Sequence, residues 1–483
     1  MPGIKNRAIR AVSGKLLDSQ RLHQWFAGLD GRTVKDEELV AFVRRIAGIL
    51  GSFAHILPRL SKYKEQLDWL ASSMEQPNSP AMGILRKIME LNSKSRDKFL
   101  TNLVLRGTIL GALRREEIEK ERGFVPPTFV VISPSMKCNL RCSNCYAWKY
   151  ERAPVLSFKT MSRVCQEMEE SGCGFITITG GEPYLYKDPD TGQTIWDLFA
   201  EHPNVFFQTY TNGTFLANDK AIERLAEVGN VAPAISVEGF KEETAARRGE
   251  DTWEKILLAM RLMKEARLPF GFSVTVTKYN IDRVATDAFI DFWIEQGCIF
   301  GWSFILIPIG AGDIDAMVLP KQRDKLREFT TIYARRNKAI LWFDFWNDGC
   351  LVDGCIAGGR HCHILHDGRV TACVFSPFAA AGYNVNQDSV LDILEKAPYF
   401  RKVREYQEER KKNPLLPCMI IDEPYHLAWA ATEGGAEPAY PSAEALIKPE
   451  MTRLLDEKAA PYRELAYNAW QKPEYAVFRE KIK

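Results

Sequence analysis

Three cysteines, Cys138, Cys142 and Cys145, stand at spacings of four and three directly after an apolar run, Thr128-Phe129-Val130-Val131-Ile132-Ser133. Pro134 follows that run, so the cysteines fall on the loop leaving a β-strand. A loop can fold three thiolates onto one small object. Three thiolates hold three irons of a [4Fe–4S] cube, which ordinarily takes four. The fourth iron then keeps an open position, a site for chemistry as well as for electron storage. On the triplet alone, two plainer readings stand beside this one. One is a zinc site short of a ligand; the other is a helical stripe, since i, i+4 and i+7 also share a helix face.

Three further signals follow in order. Gly180-Gly181-Glu182-Pro183 comes after the strand-like run Gly174–Thr179. Thr211-Asn212-Gly213 comes after Phe206–Tyr210, and Ser236 lies within Ala234–Gly239. With these signals the chain resembles the radical S-adenosylmethionine (radical SAM) superfamily over roughly residues 124 to 420, and in this order the set is far more specific than any one motif. The resemblance implies that Cys138, Cys142 and Cys145 ligate a [4Fe–4S] cluster whose open iron takes the amino and carboxylate groups of S-adenosylmethionine. One electron then yields a 5′-deoxyadenosyl radical that removes a hydrogen atom from substrate, in an oxidative or carbon–hydrogen-functionalising modification. The substrate class stays open among peptide, lipid and small molecule. The implied electron donor is a protein such as flavodoxin or ferredoxin. A non-catalytic iron–sulfur electron carrier or redox sensor is the competing function, and the adenosyl-site turns argue against it.

The resemblance also distributes roles around the cofactor. Gly180 and Gly181 let the backbone approach it, Glu182 meets the methionyl ammonium, Asn212 and Ser236 face the ribose or carboxylate, and Pro183 and Thr211 are further cofactor-binding candidates. Arg248 pairs the carboxylate; the plainer reading of Arg247-Arg248 is a solvated face. The chain departs from the family at the residue before the third cysteine, ordinarily aromatic and here Asn144. Tyr146 or Trp148 replaces it against adenine, or both are core residues.

A second cysteine group comprises Cys350, Cys355, Cys362, Cys373 and Cys418. His363–Cys373 has the signature of a β-hairpin with Asp367-Gly368 at its turn. The group resembles the auxiliary-cluster domains of radical SAM proteins, called SPASM with two clusters and twitch with one. Five cysteines are too few for two clusters, which points to twitch. A two-residue turn pairs His366 with Arg369 and Cys362 with Cys373, placing the two cysteines roughly 4.5–5.5 Å apart at Cβ on one face. The expected ligands of the auxiliary [4Fe–4S] cluster are therefore Cys355, Cys362, Cys373 and Cys418, with Cys350 spare. A disulfide between the opposed pair is the alternative, disfavoured in a reducing compartment. His361, His363 and His366 are nearby possible ligands, though alternation on a hairpin is as compatible with surface positions.

These loops need strands to carry them. Candidate strands at 128–133, 174–179, 205–211, 231–237, 270–277 and 300–307 alternate with helical stretches such as 160–171, 219–228, 252–266 and 281–296. Strands apolar on both faces suit a parallel sheet covered by helices, with the site at the strands' C-terminal ends. Pattern alone does not separate an open sheet from a barrel. The resemblance implies an α/β fold with a partial (β/α)6 barrel. The expected organisation is a helical region over 1–122, a radical SAM core over 123–346, an auxiliary-cluster domain over 347–425 and a helical tail over 426–483.

The N-terminal helices, with Leu39, Phe42, Val43, Ile46, Ile49 and Leu50 at helical spacing, read as a cap on the core. A peripheral membrane platform using Trp25, Phe26, Phe53 and the basic beginning is the less favoured alternative. Lysines and arginines number 64 against 62 acidic residues, so nothing global points to nucleic acid. The first residues lack the apolar core of a signal peptide and no stretch reaches membrane-span length, which predicts a cytoplasmic protein.

Overall fold

The computed structural model describes residues 33–410 and 413–482. Trp25, Phe26 and the basic beginning lie outside the described residues. All six expected strands form: β1 (Phe129–Ile132), β2 (Phe175–Ile178), β3 (Phe207–Thr211), β4 (Val231–Val237), β5 (Gly271–Val276) and β6 (Phe300–Ile305). They are parallel neighbours in chain order, joined through helices. A seventh parallel strand, β7 (Leu341–Asp344), extends the sheet beyond β6. The sheet is curled rather than flat. Tyr210 on β3 meets Phe304 on β6 with ring centroids 5.4 Å apart, although β4 and β5 lie between them. The curl makes a partial barrel with an inner face.

On the other side of β1 the sheet continues with β8 (His361–Ile364), parallel to it, and then β9 (Val370–Thr371), β10 (Phe378–Ala380) and β11 (Ala436–Pro438), all antiparallel. The second cysteine group is thus built onto the β1 edge of the barrel sheet. Of the expected helices, 160–171 appears as Phe158–Glu170 and 252–266 as Thr252–Glu265, while 219–228 matches Asp219–Val228. The stretch 281–296 divides into Ile281–Val284 and Asp287–Gln296, because Thr286 leaves helical geometry and caps the second piece through Phe289 N.

The described N-terminal helices, beginning with Asp36–Phe53 and Arg59–Met74, pack on one another through Leu39, Val43, Leu50 and Leu60. The same apolar cluster includes Phe206, Ala232, Ala234, Ile299 and Phe300, at the N-terminal ends of β3, β4 and β6. The helices therefore stopper the barrel end opposite the functional loops. A Cβ on Gly107 would lie 2.3 Å from Gly174 O, which shows how closely helix and sheet edge approach. Among the described residues no helix is long and apolar enough to cross a membrane. The C-terminal segments Met451–Lys458 and Pro461–Trp470 form one helix, Pro449–Trp470, with Pro461 inside it.

Candidate active site

The cysteine triplet lies on irregular backbone after β1, which removes the helical-stripe reading. The loop is laced to the turn after β2 by two backbone hydrogen bonds, Gly181 N to Ser135 O at 2.9 Å and Glu182 N to Lys137 O at 2.8 Å. These contacts give the two glycines a neighbour besides the expected cofactor. A Cβ on Gly181 would lie 2.0 Å from Lys137 O, and one on Gly180, with φ at 107°, 2.4 Å from Ser135 O. The glycines admit the cysteine loop itself.

Cys138, Cys142 and Cys145 open onto a cavity of about 190 Å³ at the C-terminal ends of the strands. Its walls also carry Tyr146, Gly180, Gly181, Glu182, Thr211, Asn212, Ser236 and Arg248. The structure so gathers nearly all the residues picked from the motifs. Pro183 is the exception: it is buried and opens a short turn, Pro183–Leu185, without lining the cavity.

Glu182 is buried and accepts from Thr211 Oγ1 at 2.7 Å, Asn212 N at 2.9 Å and Tyr184 N at 3.4 Å. Burial pushes its carboxyl up to about 7 against the opposing pull of those donors. Much of its acceptor capacity therefore holds the end of β3. Asn212 Nδ2 donates to Asn139 Oδ1 at 2.9 Å and stands 3.9 Å from Cys138 Sγ. Ser236 and Ser273 pair through their hydroxyls at 3.3 Å. Arg248 is no solvated face: its Nε donates to buried Glu238 at 2.8 Å and its Nη1 lies 3.9 Å from Cys142 Sγ. Tyr146 is on the cavity wall with its hydroxyl 3.3 Å from Thr179 Oγ1, and burial pushes it up to about 12. Trp148 lies off the cavity, with Arg141 and Arg152 over its ring at 5.6 and 4.7 Å. Asn144 explains the departure at its position. Its φ is 56°, a left-handed value that asparagine tolerates better than an aromatic residue, and its Oδ1 accepts from Asp313 N.

Burial raises the thiols of Cys138 and Cys145; backbone donors, at Leu140 and Ala147, pull them back. Donors aimed at sulfur from Leu140 N, Asn212 and Arg248 make a surrounding suited to thiolates, so the residues present fit an iron–sulfur cluster held by the triplet. Among the described residues no three His, Cys, Asp or Glu groups close on a single ion. Ligands of a four-iron cube stand around a larger object.

A second cavity of about 250 Å³ adjoins the first and is lined by Cys355, Cys373 and Cys418. Phe129, Trp302, Phe345, His361 and Phe375 line both cavities and form the wall between them. Cys362 does not join this set, contrary to the expected ligand assignment. The hairpin pairs Ile364 with Val370 and His363 with Thr371, and Leu365 N donates to Arg369 O. Its loop is thus three residues, 366–368, with Gly368 at φ 88°. That register is one residue short of the expected one, and a one-residue slip turns side chains to the opposite face. Cys362 pairs with Val130 of β1 and is wholly buried on the helix-covered side, near Cys173 and Glu167. Cys350 packs in a separate cluster with Leu415 and Trp470. The three histidines are buried, not surface groups. Strand β8 is paired on both sides, and His363 is 2.7 Å from Ser133 Oγ.

Sequence reasoning missed Tyr210, Ser273, Thr275, Trp302 and Phe304, which line the first cavity. Period-two alternation along β5 and β6 was the available signal: Ser273 and Thr275, like Trp302 and Phe304, are two residues apart and share the inner face.

Residues 132–290 match the model of the radical SAM superfamily, and residues 355–419 match that of SPASM, an iron–sulfur cluster-binding domain. The chain is 23% identical over 315 residues to the AdoMet-dependent heme synthase of Methanosarcina barkeri, covering 59% of this chain and 87% of that one. It is 26% identical over 277 residues to the sporulation killing factor maturation protein SkfB of Bacillus subtilis, covering 53% and 62%. The crystal structure of Streptococcus suis SuiB bound to S-adenosylmethionine shares the fold, with a TM-score of 0.51 and 20% identity over 67% of this chain and 77% of that one. The two domains imply a [4Fe–4S] cluster with S-adenosylmethionine and an auxiliary iron–sulfur cluster. The chain thus carries a radical SAM domain followed by a SPASM-type iron–sulfur cluster-binding domain.

Proposed function

We propose that this enzyme removes a hydrogen atom from an uncharged, apolar part of its substrate and completes an oxidative modification there. The observation that carries this reading is the shared wall: the triplet and the second cysteine set open on adjoining cavities separated by Phe129, Trp302, Phe345, His361 and Phe375. When bound, the cluster and S-adenosylmethionine supply the hydrogen-abstracting radical. The chain supplies placement. Cys138, Cys142 and Cys145 hold the cluster, and the Asn212–Asn139 contact with the Gly181 crossing fixes their loop. Thr211 donates to Glu182 and holds it; Asn212, Ser236 and Arg248 present donors to the carboxylate and ribose of the cofactor, and Glu182 offers its remaining acceptor capacity to the ammonium. Tyr146 takes the adenine. Phe304, Trp302 and Phe375 exclude water from the reacting region.

Among the described residues, the first cavity has no free lysine or arginine to receive a substrate carboxylate: Arg247 and Arg248 both bind Glu238, and Arg248 is given to the cofactor. This favours an aliphatic or aromatic group, whether it belongs to a peptide, as the likeness to a maturation protein suggests, or to a smaller molecule. A flavodoxin- or ferredoxin-like protein serves as electron donor in the cytoplasm. Anaerobically reconstituted protein given a strong reductant should convert S-adenosylmethionine to 5′-deoxyadenosine. Unchanged cleavage after replacing Cys138, Cys142 and Cys145 together with alanine would overturn the proposal.

A further inference from the structure

We propose that His361 is the fourth ligand of the auxiliary iron–sulfur cluster, completing a set with Cys355, Cys373 and Cys418. The inference rests on reading the second cavity as that cluster's site.

The ligand count comes first. Of the five cysteines in this part of the chain, Cys362 faces the helix-covered side of β8 and Cys350 packs among Leu415 and Trp470. Three thiolates remain, one short of the usual set for a cube. His361 then stands out within the lining. It is wholly buried, it faces the cavity from β8, and neither ring nitrogen has a hydrogen-bond partner. The ring lies beside the Phe129 backbone without a hydrogen bond to it and stacks on the Phe129 side chain with centroids 4.5 Å apart. Buried polar groups are almost always paired, so two orphaned nitrogens on one ring call for a partner from outside the chain.

The other oxygen ligands of the lining are already engaged. Asp344 accepts from Thr330 and Asn347, Asp348 is bound by Arg335, and Ser376 pairs with Tyr399. His361 is the disengaged donor among them. It also lines the first cavity, so the imidazole would place the auxiliary cluster's edge on the wall that faces the substrate. A neutral ligand in place of a thiolate raises the cluster's reduction potential, as imidazole does where it replaces cysteine in other iron–sulfur centres. A higher potential suits a centre that would accept the electron left on the substrate radical once the hydrogen atom has been removed, which completes the two-electron oxidation.

The test uses protein in which Cys138, Cys142 and Cys145 are alanine, so that iron reports the auxiliary site alone. Reconstituted and reduced, it should hold about four irons. Pulsed EPR should detect a strongly coupled nitrogen that changes spin signature when histidine is 15N-labelled. His361→Phe should abolish the coupling. His361→Cys should keep the iron, lose the nitrogen and lower the potential. If His361→Phe does not fold, the labelling result on the parent protein decides alone. About four irons without a coupled nitrogen overturns the His361 assignment while leaving the auxiliary cluster standing. No iron at all overturns the auxiliary-site reading beneath it, so the two failures are distinct.

Discussion

Gly181 sits where the turn after β2 crosses the cysteine loop, and the crossing has no room for a methyl group: its Cβ would fall 2.0 Å from Lys137 O. The obstacle is backbone, which cannot rotate aside. Gly181→Ala should therefore cost about 1–3 kcal/mol of stability and displace Cys138 from its partners. Denaturant unfolding and iron content after reconstitution would show both effects, and unaltered iron binding would show that the crossing does not position the loop. Glu182 makes a second prediction at this scale. Its folded value, about 7, lies above the ordinary 4.5, so the folded chain holds the proton more tightly than the unfolded chain. Stability of the metal-free protein should then fall as pH rises from about 4.5 to about 7, by on the order of 3 kcal/mol from this group. Glu182→Gln should remove that part of the slope. Equal slopes in the two proteins would show that the carboxyl is ionised in the fold throughout.

At the scale of elements, the hairpin of β8 and β9 decides which cysteines can act together. A two-residue turn puts Cys362 and Cys373 side by side; the three-residue loop found here turns Cys362 away from the Cys355–Cys373–Cys418 cavity. Cys362→Ala should leave iron content unchanged at a cost of about 1 kcal/mol in packing. Cys373→Ala should lower it from about eight irons per chain to about four. Loss of iron in the Cys362 variant would mean that the cluster draws β8 into another register. The splitting of 281–296 into two helices by Thr286 is a smaller case of local chemistry overriding a continuous apolar pattern.

The whole molecule is a curled sheet stoppered at one end by helices and opened at the other into the cysteine-lined cavity. The stopper shares its apolar cluster with Phe206, Ala232, Ala234, Ile299 and Phe300. A chain begun at Gly123 should expose that surface and aggregate, whereas the full chain should remain dispersed. Sedimentation of both, with and without anionic liposomes, separates this role from a membrane platform. Salt-sensitive co-sedimentation of the full chain at physiological ionic strength would favour the platform.

What the sequence determined by itself is local: a strand followed by a loop bearing Cys138, Cys142 and Cys145, and strands ending at Gly180-Gly181, Thr211-Asn212 and Ser236. Each needs only a short apolar run and the turn chemistry beside it, and parallel strands in chain order bring their ends to one rim. The cysteines and the turn residues of the first lining were legible for that reason. The residues that escaped notice, Trp302 and Phe304 among them, depend on which face of a strand turns inward. Tertiary structure alone decided the rest. The glycines serve the cysteine loop because residues 135–137 cross residues 180–182. Cys362 leaves the auxiliary set, and His361 loses its hydrogen-bond partners, because β8 pairs with β1 more than two hundred residues before it. Pairing between segments so far apart carries no local signal, and a register error of one residue is enough to exchange a ligand for a core side chain.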